Sequence, residues 1–444
     1  MNHQQQTRAW IDALVYDNSV IAKAIADNRY FDIQNQAQMR LQEIDIPNPR
    51  HEAWRYTDFK SLLGQQFISQ DARLLDPRAE LFDDWIYRDT ESYRLVMLNG
   101  RFCEDLSLLP APAKGVTVTG INQISEKQRR QMEASLVQAN TFSDDIFDLI
   151  NRALLQDGFY IQLGQGKSLQ LPVEIVHLVT SSDRQLLAQP RSVLILEPSA
   201  EIQIIERFIG ISDTQYFHNS QLHIQLQDNA RLHHMRFQQE SRQAHHLSRV
   251  QINQQRDSHY QLMNIATGAK WGRSDVHLSL EGENAECEML GLYTVDDEQY
   301  NDIHLDVSHL AAHCQSELYF NGILLGAGRG VFDGRILVEQ SAQKTDASMT
   351  NHNLVLSDHA DIDTKPVLEI YADDVKCSHG ATVGSIDPEQ LFYCQSRGLT
   401  RHQALKLLCQ GFANQVFEKL SDARLLEYAQ NQVNAVLQKE RHAA

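Results

Sequence analysis

The chain has 444 residues, 42% hydrophobic and 22% charged, and its 58 Asp and Glu outweigh 40 Lys and Arg for a formal net charge of −18. Such a composition belongs to a soluble globular protein, and the length implies two or three units unless one of them is an elongated repeat. So acidic a surface repels phosphate backbones, which argues against a general nucleic-acid binder. No stretch approaches the roughly 20 apolar residues needed to cross a bilayer. The polar start, MNHQQQTRAW, lacks the apolar run of a signal peptide. Six cysteines with no CxxC pair fit reduced thiols better than a disulfide framework or a zinc finger, so the expected compartment is the cytoplasm.

The first 45 residues read as helical, with Trp10, Leu14, Ile21 and Ile25 at helical spacing, until Pro47 and Pro49 break the pattern. Signals are mixed to about residue 140, where the run Leu95–Leu98 precedes an Asn99-Gly100 turn. A helix over Asp144 to Leu155 is expected to end at Gly158 as its C-cap. After Gly158 strand patterns dominate as far as the helical tail. Leu222, Ile224 and Leu226 alternate with polar residues, as do Val276, Leu278 and Leu280, and Ile303, Leu305 and Val307, which marks half-buried strands.

A bend recurs among these strands: LEPSAEI (196–202), LQDNARL (226–232), LEGENAEC (280–287), VSHLAAHC (307–314) and LSDHADI (356–362). Ala200, Ala230, Ala285 and Ala312 recur at near-regular spacing, except that the middle gap is about two copies long, with Asp257-Ser258 near the bend expected inside it. A period of about 27–30 residues in all-β sequence suggests stacked coils. A sandwich with evenly spaced hairpins is the other reading of the same spacing. On the coil reading Cys287 and Cys314 stack on neighbouring coils as core residues.

From Pro388 the pattern is helical again. PEQLFYCQSR runs into Gly398, Thr400 can cap the next helix, and Leu405, Leu408, Phe412, Val416 and Leu420 form an apolar stripe expected to pack the tail on itself. Ser421-Asp422 opens a final helix. The organisation predicted is therefore a helical and mixed α/β region (1–158), a β-solenoid core (159–387) and a C-terminal helical domain (388–444) expected to serve as a docking module.

Several motifs fail as chemistry. Gly166-Lys167-Ser168 lacks the first glycine of a phosphate loop, where Ile161 stands, and reads as a hairpin turn. Gly326-Ala327-Gly328-Arg329-Gly330 has Val331 in place of a third glycine and reads as a turn or bulge. Among nineteen histidines, the pairs His233-His234 and His245-His246, with His304, His309 and His313, have no common metal spacing and read as solvated or capping residues. Neither HExxH nor GxSxG occurs. Cys377-Ser378-His379 is different, because thiolate and imidazole are natural ligands of iron and iron–sulfur species. At i and i+2 of a strand they share a face, roughly 6.5 Å apart. Val375 shares that face, so a core role competes, but an unbonded core histidine is costly, which favours an edge or an interface.

The run 345–399, TDASMTNHNLVLSDHADIDTKPVLEIYADDVKCSHGATVGSIDPEQLFYCQSRGL, closely resembles the core signature of the SufB/SufD family of iron–sulfur cluster assembly proteins. HEAWRYTDFKSL (51–62) resembles the family's N-terminal motif, and LINRALLQDGFYIQL (149–163) and PVEIVHL (172–178) resemble its entry into the β-helix. VKCSHGATVG (375–384) is similar to the SufD form rather than the glutamate-histidine-glutamate form of SufB.

The resemblance implies a mainly β fold, a right-handed parallel β-helix flanked by helical ends. It implies a non-catalytic scaffold in a complex with SufB and the SufC ATPase, in which the β-helices of SufB and SufD pair. A nascent cluster or iron would lie at that joint, near Cys377 and His379. SufC would dock on the C-terminal helices, near Arg397, Gly398, Leu399, Thr400, Arg401 and His402. A reduced flavin in the assembled complex is compatible with it, as is a homodimer of the isolated chain; no nucleic acid, membrane or tightly held cofactor is expected. Two other readings stand beside it: a SufB-like subunit that holds a cluster itself, and a polysaccharide-active β-helix enzyme.

Overall fold

The computed structural model describes all residues except 1–2, 28, 45, 47–50, 70–91, 112, 139–144, 181–183, 212, 419–422 and 440–444. Pro47, Pro49, Asp144, Leu420 and the Ser421-Asp422 start therefore lie outside the described residues.

Strands alternate along the chain between two sheets, and within each sheet neighbours are parallel over nearly the whole length. In one sheet, strands beginning at Glu201, Arg231, His259, Glu286, Gln315, Asp346 and Lys376 lie in register, first residue beside first residue. In the other, Phe217, His245, Trp271, Tyr300, Arg329 and Asp361 align. This is a parallel β-solenoid, each coil contributing one strand to each sheet, and the sandwich reading falls. Much of its interior is an apolar cluster that includes Leu222, Ile224, Val276, Leu278, Ile303 and Leu305, the residues whose alternation marks the strands in the sequence.

One corner explains the recurring bend. Gly166, Ser199, Asn229, Asp257, Asn284, His313 and Lys344 all have positive φ, between 57° and 65°. Each donates its backbone N–H to a carbonyl in the next coil: Pro198, Asp228, Arg256, Glu283, Ala312, Gln343 and Asp374. Asn, Asp and Gly tolerate this left-handed conformation best, which accounts for the corner's composition.

The ladder also corrects four expectations. Gly166 is a corner between sheets rather than a hairpin turn, since Phe159–Leu163 and Val173–Val179 belong to different sheets. LSDHADI enters the strand Asp361–Ile370 of the opposite sheet, so it belongs to the other corner. The small residue equivalent to Ala285 is Cys314, two positions after Ala312, because Glu286 pairs with Gln315. Cys287 accordingly pairs with Ser316; the two thiols share the core on neighbouring coils but are offset along the strand direction.

Helices flank the solenoid. His3–Ile25, Phe31–Glu43 and Ile146–Ala153 form the N-terminal part, the last capped by the Asp145 carboxylate on the N–H groups of Phe147 and Asp148. Gly158 lies beyond that helix and is not its cap. It lets the chain pass the strand Arg191–Leu196, where a Cβ would fall 1.8 Å from the Arg191 carbonyl oxygen. Buried ion pairs fasten the helix to the sheet: Arg191 and Arg152 hold Asp148, and Arg249 bridges Asp145 (3.1 Å) and Asp275 (2.8 Å).

The HEAWRYTDFKSL segment straps the same sheet. Trp54 packs against the Phe147 ring in a tilted pair and lies under the Arg273 guanidinium, which donates to the Ala53 carbonyl at 2.8 Å. Trp271 donates to the Asp58 carbonyl, and Tyr300 to that of Tyr56.

Of the C-terminal helices Pro388–Ser396, Arg401–Phe417 and Ala423–Lys439, the last two pack along the other sheet, and the first, with no buried residue, packs on the second. The buried stripe of the second is Ala404, Cys409, Ala413, Val416 and Phe417, rotated from the one expected, with Leu405 and Leu408 only half-buried. The reason is its partner. The outward side of the sheet presents Ile205, Met235, Phe237, Met263, Leu290 and Leu292, and the tail packs there rather than only on itself.

Candidate functional site

The strand Lys376–Gly384 ends its sheet, and Asp361–Ile370 ends the other. Cys377 is in register with Ala347, and His379 with Met349, both buried in the interior cluster. The two residues thus continue inward-facing columns onto the last coil, where no further coil among the described residues lies above them. Cys377 keeps contact with the cluster, whereas His379 is exposed. Val375 shares their face and packs partly on the core, as its position in the sequence requires.

The thiol at Cys377 is pushed up from its ordinary value, first by burial and then by the Asp346 carboxylate. This environment disfavours thiolate, the form that binds metal. Exposed apolar side chains gather at this end, with Tyr371 61% and Val383 54% exposed, beside Ile370. Pro366 in the strand Asp361–Ile370 removes one amide donor from that edge, whereas Lys376–Gly384 contains no proline and keeps its donors.

The turn expected to dock an ATPase lies between two helices. Gly398 has φ +95°, and Thr400 caps the next helix in a reciprocal pair with Gln403. Arg397 lies over the Tyr393 ring and donates to its hydroxyl at 3.0 Å. Arg397, Gly398, Thr400 and Arg401 are exposed, Leu399 and His402 half-buried. Phe392 (73% exposed) and Tyr393 project from the helix Pro388–Ser396, on an acidic and aromatic groove with Asp387, Glu389 and Leu408.

Solvated or capping roles do not hold for four of the histidines expected to take them, while His233 and His304 are half-buried. His234, His245, His246 and His309 are all buried, and only His313 sits exposed at a corner. One half of the solenoid interior is polar. Glu206 receives His177 (2.9 Å), His234 (3.2 Å) and Arg236 (2.7 Å), and Glu240 faces His218 and His246. Sequence reading missed Glu206, His218 and Glu240. Their only signal is the coil period, which sets His218 and His246 one coil apart and in register.

Fold and site together define a class: a parallel β-solenoid between helical segments, with a thiol and an imidazole on its uncovered last coil. The chain belongs to the SufBD family of iron–sulfur cluster assembly proteins. Residues 178–412 match the SufBD core domain of the SUF system of FeS cluster assembly, and residues 9–175 match the SufBD protein N-terminal region. It is 32% identical over 395 residues to the iron–sulfur cluster assembly protein SufD of Escherichia coli, covering 88% of this chain and 90% of that one. It is 30% identical over 393 residues to a SufBD family protein of Synechocystis sp. (87% and 86% covered), and 28% identical over 417 residues to the chloroplastic protein ABCI7 of Arabidopsis thaliana (91% and 86%).

Proposed function

We propose that this iron–sulfur cluster assembly protein is the SufD-type scaffold of a cytoplasmic SufBCD complex, in which it performs no bond-making of its own. The observation that carries the reading is the uncovered last coil. Its strand Lys376–Gly384 keeps its edge donors, its flanks expose Ile370, Tyr371 and Val383, and Cys377 and His379 face the surface a second solenoid would cover. Edge-to-edge pairing satisfies such donors and buries such side chains. The cluster, as cargo, would then form between the two subunits. His379 is its main ligand from this chain, because it is exposed on the uncovered coil and imidazole is a natural ligand of iron. Cys377 is secondary, because its surroundings favour thiol.

The test is cluster delivery in cells that depend on this pathway alone. His379→Ala should impair delivery without releasing SufB or SufC, and Cys377→Ala should do less; full delivery by His379→Ala overturns the site. The ATPase dock is assigned to the helix Pro388–Ser396 and the turn after it. Phe392→Asp should weaken SufC binding at least tenfold, about 1.4 kcal/mol, with an unchanged unfolding midpoint. Unaltered SufC binding in that variant, measured by calorimetry, would move the dock elsewhere.

A further inference from the structure

We propose that His218, Glu240 and His246 form a binding site for one divalent first-row transition-metal ion inside the solenoid, separate from Cys377 and His379. His218 and His246 occupy the same inward column on the adjacent strands Tyr216–Leu226 and His245–Gln254. Glu240 comes from the opposite sheet, just beyond the end of the strand Arg231–Gln239. All three are at most 4% exposed. Their donor atoms lie within 4.8 Å of one another, with His218 Nδ1 3.2 Å and His246 Nδ1 2.6 Å from the two carboxylate oxygens.

Two observations separate this cluster from an ordinary buried ion pair. The first is the hydrogen bonding of His246. Its Nδ1 sits close to Glu240 Oε2 without the alignment of an N–H···O bond, and its Nε2 has no hydrogen-bond partner among the described residues. The two histidine rings stand edge to face, 5.6 Å apart, so both turn a nitrogen toward one carboxylate instead of stacking.

The second is charge. Glu206, the other carboxylate of this layer, holds the Arg236 guanidinium at 2.7 Å. Glu240 forms no ion pair with Lys or Arg among the described residues; its neighbours are the two histidines, Gln238 (Nε2 donating to Oε2 at 3.1 Å) and Tyr216. A buried carboxylate needs a compensating positive charge. Two imidazoles and one carboxylate form the donor set of zinc and non-haem ferrous sites. Gln238 holds the ligating carboxylate as outer partners of metal sites do. Gly272, next in the histidine column, places no side chain over His246.

The test uses the full chain stripped of metal by chelation and titrated with Co2+, with Zn2+ and anaerobic Fe2+ as competitors. One equivalent of Co2+ should bind with visible d–d bands, and Zn2+ should displace it and raise the melting temperature. His218→Ala, His246→Ala and Glu240→Gln should weaken Co2+ binding by about 100-fold or more, beyond the range of an outer-partner change. The double variant Cys377→Ser, His379→Ala should keep the bands, which separates this site from the surface assigned to the cluster. Absence of a stoichiometric Co2+ band in the unmodified chain overturns the proposal and leaves a proton-sharing histidine–carboxylate pair. Loss of the band in the Cys377/His379 double variant, or its survival in a folded Glu240→Gln chain, overturns it equally. If the interior variants fail to fold by circular dichroism, the unmodified chain and the double variant still decide the matter.

Discussion

His246 and His379 both stand in inward columns of one solenoid, on opposite sheets, and a covering coil is what separates a sealed imidazole from an open one. Around His246, coils lie on both sides and the N-terminal helices cover the outside of the sheet, so every polar atom must find its partner within the protein. Around His379, a coil lies on one side only, and the imidazole is free to meet another molecule. A solenoid therefore leaves open at its ends the same residue types that it seals in its middle, and the difference is one missing layer.

The most severe way to break this contrast is in the closed layer. Glu206→Ala would leave Arg236 buried without its carboxylate and should destabilise the chain by about 3–5 kcal/mol in urea unfolding. Just below the end, Met349→Ala should cost about 2–5 kcal/mol, because Met349 is fully buried beneath His379.

The pH dependence sharpens the comparison. Burial lowers His245 to about 4, and neither ring nitrogen has a hydrogen-bond partner. The unfolded chain, titrating near 6.5, takes up this proton first. The stability from neutral His245 is thus fully present above about pH 6.5 and is lost at up to about 1.4 kcal/mol per pH unit as the pH falls toward 4. Glu206 and Glu240 are held below the carboxylate range, against the cost of burial, by Arg236 and by the histidines. Their contribution is present above about pH 4.3 and is lost only on further acidification. His245→Phe should reduce the slope of the pH 6.5–4 limb of unfolding free energy by up to about 1.4 kcal/mol per pH unit, the share of one proton, and leave the lower limb in place. An unchanged upper limb would assign the proton uptake to other buried histidines.

The smallest effect belongs to the end. His379→Ala should shift the unfolding free energy by less than about 0.5 kcal/mol, the range of an exposed substitution. A loss above about 2 kcal/mol would make His379 part of the fold and undo the contrast.

Removal of residues 388–444 is a poor test of docking, because those helices cover Ile205, Met235, Phe237, Met263 and Leu290. A shortened chain exposes that apolar surface, so loss of ATPase binding could not be told from loss of fold.

Much of this is legible in the sequence alone. Alternation at 222–226, 276–280 and 303–307 settles which residues face inward, because a strand's side-chain period is two in any sheet. The recurring bend sets the coil length, because Asn, Asp, Ser and Gly at that corner meet a local backbone requirement. Cys377 and His379 stand out together because they are close neighbours in sequence. Tertiary structure decided the rest. Whether Ala312 or Cys314 fills the corner depends on register with the previous coil. Which stripe of Arg401–Phe417 is buried depends on the sheet that receives it. Whether a histidine is solvated, as the pattern suggests for His246, or sealed against Glu240 depends on contacts between residues in separate strands. Such contacts leave no local periodicity, and only the wound chain brings them together.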